Sequence, residues 1–473
     1  MPWNLSRTKN NPMKSKAHRH EASFRDPSGF IFEDGGTVKR AINPIYFPVY
    51  QALCDNDFFA PLFKAKMLIP HVEEEQTPER IVLKPDQLDL MTYPYEWSFD
   101  QFKQAALLTL KLQNYALERG FSLKDASAYN VTFHKGRAIF IDTLSFDFYQ
   151  KDQPWRAYKQ FVMHFLSPLV LAHYHGAEVL KMMQNHIDGI PVSLVASLLP
   201  KRTKLSPTLY TNIHLLAKLE AKHNDEYKPK SRKMHLSKKA LSNMIRSLYD
   251  YIDGLELKQQ TEWGDYYNKT NYQPEAFSFK KQQIDQWISQ RALKKVLDVG
   301  GNDGTFVRAL SEDLDLAVVA DIDHNAVALN YAQVKANKEH NILPLWFDVA
   351  QPSPGIGWVN QERSPILNRL SKWGPEVVLA LAVIHHMTLS GNVPFEDSAR
   401  FFAGLSPLLI IEFPKRKDSW VDSLLQRKRE FINHFDHYHQ EDFESAFAQY
   451  FETLEQVEIP GSKRILYLMK TRS

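Results

Sequence analysis

The chain has 473 residues, 24% charged and 44% apolar, the balance of folded domains rather than of disordered chain, and room for two or three of them. A net charge of +3 gives no electrostatic argument for a nucleic-acid partner. The single cysteine, Cys54, excludes an intrachain disulfide and a cysteine-cluster metal site and fits a reducing cytoplasm, and no apolar run approaches the roughly 20 residues of a membrane span.

Residues 1–22 are polar and basic without an apolar core, which predicts a flexible tail rather than a secretory signal. Residues 23–150 have an α+β pattern. Gly29 to Ile42 holds two β-like runs joined by Asp34-Gly35-Gly36, a hairpin signal, and Arg80 to Lys84 is a further strand candidate. Phe99 to Leu117 places Phe102, Ala106, Leu107, Leu110 and Tyr115 at helical spacing. Then come Leu123-Lys-Asp-Ala-Ser-Ala-Tyr-Asn130, a Lys135-Gly136 turn and Ala138-Ile-Phe-Ile-Asp142. This passage is similar to the catalytic-loop region of protein and aminoglycoside kinases. Asp125 and Asn130 have the Asp-x-x-x-x-Asn spacing, and Asp142 stands where a metal-binding Asp follows a hairpin. The resemblance implies an acceptor-orienting role for Asp125 and magnesium ligation by Asn130 and Asp142 if the region is active. Against activity, Leu123 replaces the usual His, Thr143-Leu144 replaces Phe-Gly, no Gly-x-Gly-x-x-Gly loop precedes, and nothing selects between Lys39 and Lys84 as a nucleotide lysine. A degenerate kinase-like recognition domain is the expectation. In such a scaffold Asp125 and Asn130 make turn or cap hydrogen bonds and transfer no phosphate; an active kinase and a chance resemblance are the alternatives.

Residues 151–221 read as helices packed on that region, with His164, His173 and His175 as buried structural histidines because no paired carboxylate accompanies them. Residues 222–239, polar and lysine-rich around Pro229, read as a solvated linker or an anion-binding patch. An amphipathic helix from Ala240 to Leu257 opens the last domain, 240–473. Thr261 to Tyr272 is rich in aromatic residues (Trp263, Tyr266, Tyr267, Tyr272), and a helix from Ala276 to Ile288 follows.

Lys295-Val-Leu-Asp-Val-Gly-Gly-Asn-Asp-Gly304 is a buried strand running into an acidic glycine turn, with Phe306, Val307 and Leu310 at the spacing of a following helix. The order Asp298-x-Gly300-x-Asn302-x-Gly304 differs from a dinucleotide fingerprint. A carboxylate at the strand end repels a pyrophosphate and suits an ammonium group. By itself the turn also fits a structural βα turn or another nucleotide fold. Four more strands follow: Leu316 to Asp323, Leu343 to Asp348, Glu376 to Met387 and Leu408 to Phe413. Two closing β-like runs flank Pro460-Gly461-Ser462. Asp321 lies at about the 20-residue spacing from the turn at which a ribose-binding carboxylate is found.

This series resembles the class I S-adenosylmethionine-dependent methyltransferases. More narrowly, Thr261–Tyr272, the glycine turn and Ile411–Met469 resemble a group of bacterial methyltransferase-like proteins related to the NoeA nodulation family. The resemblance implies an α/β, Rossmann-like sheet with a terminal β-hairpin, and S-adenosylmethionine as cofactor. It assigns cofactor contacts to Asp298, Gly300, Gly301, Asn302, Gly304, Asp321 (ribose), Ile322 (adenine), Asp348 (adenine amino group), Val349 and Ala382. Trp263 and Tyr267 belong to an aromatic lid or, alternatively, to packing on the sheet edge. Asn302 replaces the family's middle glycine, a substitution that left-handed backbone tolerates. His385 and His386, after the fourth strand, are candidates for acceptor binding or general base work, or for loop structure only. Glu412 is a weaker candidate, and Lys415, Arg416 and Lys417 can select an acidic acceptor or be merely solvated. The expected acceptor is a small molecule or glycan rather than nucleic acid, since no base-methylation motif and no basic, aromatic stripe is present. Other readings are a non-catalytic scaffold and a bifunctional kinase–methyltransferase.

Overall fold

The computed structural model describes residues 18–20, 22–225, 236–257, 274–311 and 313–472. The chain divides into two compact units, Met1–Gln87 and Leu88–Ser473. The first unit holds a five-stranded antiparallel sheet: β1 (His18–Arg19), β2 (Gly29–Asp34), β3 (Thr37–Ile42), β4 (His71–Gln76) and β5 (Ile81–Pro85), in the order β1-β2-β3-β5-β4. Gly35 and Gly36, at φ 58 and 79, make the two-residue turn between β2 and β3, a left-handed pair that glycine supplies without steric cost. Phe32, Ala41 and Val82 form a small core, and helices α1 (Phe47–Asp55) and α2 (Phe59–Lys64) lie between β3 and β4 in sequence. Lys39 on β3 pairs with Asp34 at 3.0 Å and Glu74 at 2.9 Å.

The second unit opens on α3 (Phe99–Glu118). Ser98 Oγ accepts from the Gln101 amide, and Gln101 Oε1 accepts from the Ser98 amide at 2.9 Å, a reciprocal cap that satisfies two amide groups of the helix start. Two short hairpin-like pairs follow: β6 (Phe121–Leu123) with β9 (Phe146–Phe148), and β7 (Val131–His134) with β8 (Arg137–Phe140). The helices α4 (Tyr158–Phe161), α5 (Ser167–His175), α6 (Val192–Leu198), α7 (Pro207–Leu209) and α8 (Leu216–Asp225) come next, interrupted by 3-10 and π turns. Helix α9 (Lys238–Asp253) buries Leu241, Ile245, Leu248 and Ile252, one stripe at helical spacing, and packs along α3.

Seven strands then form one mixed sheet. They are β10 (Lys295–Val299), β11 (Leu316–Asp321), β12 (Ile342–Trp346), β13 (Val377–Ala380), β14 (Leu408–Pro414), β15 (Phe451–Glu458) and β16 (Arg464–Thr471), in the order β12-β11-β10-β13-β14-β16-β15. The first five are parallel, and β16 runs antiparallel between β14 and β15. Strands β11, β12 and β13 are buried along their whole length, as parallel strands covered on both faces must be. One face carries a core of Ile284, Trp287 and Ile288 from α10 (Pro274–Ser289) against Val296, Val319, Leu379 and Leu468. The expected α/β sheet with its terminal hairpin is present. Because the chain leaves β10 first toward β11 and later toward β13, the order reverses at β10, where the general rule for open α/β sheets puts a ligand crevice, beyond the carboxyl ends of those strands.

One expected element is different. The helical spacing of Phe306, Val307 and Leu310 produces only a 3-10 turn, Val307–Ala309, after which Leu310 is extended. The Ser311 amide and hydroxyl both donate to Asp285 on α10, at 2.7 and 2.8 Å, which draws the chain out of a helical path.

The N-terminal part of this unit is joined to the sheet by a buried ion pair. Arg369 on α12 (Ile366–Trp373) makes two bonds to Glu96, one of them 3.0 Å, and its guanidinium stacks 4.3 Å from the Tyr93 ring. Removing one partner strands a desolvated charge, so Glu96→Ala is expected to lower unfolding free energy by about 3–5 kcal/mol. A Glu96→Met, Arg369→Met double variant should recover most of it. Chemical denaturation of wild type, Glu96→Ala and the double variant measures both effects.

Candidate active site at the glycine turn

Gly300 and Gly304 adopt φ of 70 and 80, and Asn302, in the place of a glycine, takes φ 50. A Cβ on Gly300 would lie 2.5 Å from Val383 Cγ2, and one on Gly301 would lie 2.6 Å from Asp298 Oδ2. Glycine is therefore required at both positions for packing, and at Gly300 for backbone shape as well. The Gly300 and Gly301 amides both donate to Ala320 O, at 2.8 and 3.2 Å, which folds the turn back onto the end of β11.

Asp298 sits under this turn, fully buried, and among the described residues neither carboxylate oxygen has a hydrogen-bond partner. Burial drives its pKa up to about 8. The Lys280 ammonium works against that rise, while Asp321 and Asp303 add to it. A buried acceptor pair with nothing to accept from is costly unless a ligand brings donors. Asp321 is arranged differently. Its Oδ2 accepts from the Asn302 amide at 2.8 Å and its Oδ1 from the Asp323 amide at 2.7 Å, tying the glycine turn to the β11 loop. Burial raises its pKa to about 6, and these amide bonds oppose the rise. Ile322, between the two acids, is 58% exposed, and Asp323 caps α11 (His324–Asn337) by accepting from the Asn325 and Ala326 amides.

The loop after β11 is held from outside the sheet domain. Trp346 Nε1, at the end of β12, donates to Ile322 O at 2.9 Å. His324 Nε2 accepts from the Phe99 amide at 2.7 Å, so its ring is unprotonated at that nitrogen, consistent with burial lowering its pKa to about 4. Gln101 Nε2 donates to Pro344 O at 3.1 Å, and the Lys181 ammonium lies 4.3 Å from the centre of the Trp346 ring. Sequence reasoning passed over His324, Trp346, Gln101 and Lys181. The available signal was Trp346 within the third strand, near its acidic end; the other three act through pairings of residues far apart in the chain.

The remaining candidates are spread around the crevice. Asp348 is half-buried and accepts from the Ala350 amide at 2.8 Å, and Val349 beside it is half-buried too. Ala382 has left-handed backbone at φ 55, just beyond β13. His385 is buried and His386 partly exposed, with ring centres 4.2 Å apart. Burial and the Arg464 charge lower the pKa of His386 to about 4 and hold His385 well below its ordinary value. Glu412 is not available to an acceptor. It is fully buried and paired with Lys280 and with Arg464, the latter at 3.0 Å, and Arg464 reaches on to Asp418 at 2.8 Å. Lys415 and Arg416 also have partners, Glu458 at 2.6 Å and Asp436 at 3.4 Å. Trp263 and Tyr267 lie outside the described residues, as does all of 261–272.

At the second constellation, Asp125 accepts from the Ser127 amide at 3.0 Å and from Gln160 Nε2 at 2.8 Å. Burial and the nearby Asp142 charge raise its pKa, and Asn130 hydrogen-bonds to it. Asn130 Nδ2 donates to Ser145 Oγ at 3.2 Å, and Ser145 Oγ donates in turn to Asp142. The three residues singled out by spacing are thus one hydrogen-bonded group. Among the described residues no cluster of three His, Cys, Asp or Glu side chains is placed to hold a metal.

No protein-family model matches the chain. The nodulation protein NoeA of Rhizobium meliloti (strain 1021) is 33% identical over 463 residues, covering 95% of both chains. Among solved structures, magnesium protoporphyrin IX methyltransferase from Synechocystis PCC 6803 with bound SAH matches at a TM-score of 0.31 and 15% identity, over 44% of this chain and 92% of that one. The N-methyltransferase NodS from Bradyrhizobium japonicum WM9 with SAH matches at 0.29 and 11%, over 43% and 90%. The bifunctional kinase-methyltransferase WbdD matches at 0.28 and 14%, over 46% and 43%. TM-scores this low carry no argument, so the reading rests on strand order and site geometry.

The two strand-end acids make stability depend on pH. Both pKa values exceed the ordinary 3.8, so the folded chain keeps protons that the unfolded chain releases. Their contribution is complete below about pH 4 and is lost as pH rises through about 6 and then 8. In ligand-free protein, Asp298→Asn should raise the calorimetric melting temperature at about pH 8.5 and leave it nearly unchanged at about pH 4.

Proposed function

The chain belongs to the NoeA family of nodulation proteins, and from that premise we propose that it is an S-adenosylmethionine-dependent methyltransferase acting on an O or N atom of a small molecule or glycan. The observation that carries the reading is Asp298, whose two buried oxygens, without a hydrogen-bond partner among the described residues, lie near the carboxyl end of β10, beneath a glycine turn and at the point where the strand order reverses. The ammonium group of a methionine moiety supplies the donors and the positive charge that this carboxylate lacks.

The other residues fit the rest of the cofactor. Gly300, Gly301 and Gly304 bring the backbone close without side chains, and Asn302 holds the left-handed turn through its bond to Asp321. Asp321 has lone pairs left for ribose hydroxyls after its two amide bonds. Exposed Ile322 offers an apolar face to adenine, Asp348 an acceptor for its amino group, and Val349 and Ala382 the adjoining wall. Trp263 and Tyr267 are assigned to a lid over this pocket. The bound sulfonium supplies an electrophilic methyl group, so the protein needs no nucleophile of its own and has to align the acceptor and exclude water. His386, neutral above about pH 5 because its pKa is about 4, is available to accept a proton from the acceptor, with His385 behind it. We assign residues 23–150 to a degenerate kinase-like region that serves, with the helices of 151–221, in acceptor recognition; the joined group Asp125, Asn130 and Asp142 supports it.

Calorimetric titration with S-adenosylmethionine and its demethylated product tests the cofactor assignment. Wild type should bind at micromolar strength and Asp321→Ala at least about tenfold more weakly, or about 1.4 kcal/mol. No binding to folded wild type would leave a non-catalytic scaffold. His386→Ala should keep that binding and lose methyl transfer, and wild-type turnover should show no histidine limb between about pH 6 and 7. Magnesium-dependent ATP binding that disappears in Asp142→Ala would instead establish the bifunctional kinase–methyltransferase reading.

A further inference from the structure

A second concavity of about 450 Å3 lies beside the π-helical turn His386–Ser390 that follows β13. Its other walls are Asn392–Pro394 and the 3-10 segment Arg429–Phe435, which follows α14 (Ser419–Arg427). Its size is in the range of small-molecule sites. Its position, on loops after the fourth and fifth parallel strands, is next to His386 rather than among the residues assigned to the cofactor.

The lining has a distinct chemistry. Lys428, His434 and His437 contribute to it, and no carboxylate does among the described residues. Asp436, next in sequence to two of the lining residues, is paired with Arg416 at 3.4 Å. The Lys428 ammonium is held at the wall, 3.0 Å from Asn392 Oδ1 and 4.6 Å from the centre of the Phe435 ring, instead of extending into solvent. Phe431 lines the same space and is 56% exposed, an uncovered aromatic face of the kind that ring-bearing ligands stack on. Thr388 Oγ1 on the opposite wall is buried and has no hydrogen-bond partner among the described residues, leaving a polar handle for a ligand atom.

We infer that this concavity is the acceptor site of the proposed methyltransferase and that it takes an anionic small molecule bearing a flat ring, its ring on Phe431 and its carboxylate or phosphate toward Lys428 and the two histidines. The inference rests on the methyltransferase reading for the word acceptor, and on the lining alone for the ligand class. Cationic amines are disfavoured because the Lys428 ammonium repels them and, among the described residues, no carboxylate lines the cavity to offset it.

Three probes that share one ring and differ in charge test it: 4-hydroxyphenylacetate, tyrosol and tyramine, titrated calorimetrically into the full chain with and without S-adenosylhomocysteine. The acid should bind at least about tenfold more tightly than the amine, with neutral tyrosol between them. Lys428→Gln should erase the preference for the acid while leaving tyrosol unchanged, and Phe431→Ala should weaken all three. Melting temperature and S-adenosylhomocysteine affinity should match wild type in both variants, which reports that each is folded. Equal affinity for acid and amine, a preference that survives Lys428→Gln, or no binding of any probe overturns the inference. Charge-selective probe binding without S-adenosylhomocysteine binding would retain the ligand class and remove the methyltransferase reading instead.

Discussion

Two carboxylates carried to the ends of buried parallel strands set the terms for everything built around them. Charge inside an apolar sheet is expensive unless it is neutralised, hydrogen-bonded or met by an opposite charge. Asp321 is hydrogen-bonded, and by accepting from Asn302 and Asp323 it makes two separate loops into one surface. Asp298 has no hydrogen-bond partner among the described residues, and its burial pushes it toward the protonated form.

The charges at the other end of the crevice are arranged on the opposite plan. Lys280, Glu412, Arg464 and Asp418 form a buried chain of alternating sign in which every group has a partner. It fixes α10, β14, β16 and the start of α14 relative to one another. Such a network contributes geometry more than stability. Its reach extends to the loop after β13: desolvation, with the Arg464 charge added, lowers the pKa of both His385 and His386.

The segment before the sheet is structurally part of the site. The Phe99 amide, Gln101 and Lys181 reach His324, Pro344 and Trp346, and Glu96 pairs with Arg369. Any shift of α3 or of the Ala177–Gln184 turn is therefore felt at the loop carrying Ile322. These contacts join residues 96–101 and Lys181 to α12 and to the loop and strand ends around Asp321.

What the sequence determined by itself was whatever is encoded locally. A run such as Leu316 to Asp321 has to be a strand buried on both faces, Asp34-Gly35-Gly36 has to turn, and an acid before Gly300 favours an ammonium over a phosphate, because backbone sterics and desolvation act over a few residues. The helix expected after the turn was misread for the same reason. Periodicity at Phe306, Val307 and Leu310 has no knowledge of Asp285, which draws Ser311 away. Only the tertiary structure decided which acids are satisfied and which are bare. It tied up Glu412, Lys415 and Arg416, left Asp298 without a hydrogen-bond partner among the described residues, brought Asp125, Asn130 and Asp142 together, and put Lys181 over Trp346. Those outcomes depend on which side chains meet across long stretches of chain, and on how much water is left between them. No local pattern records either.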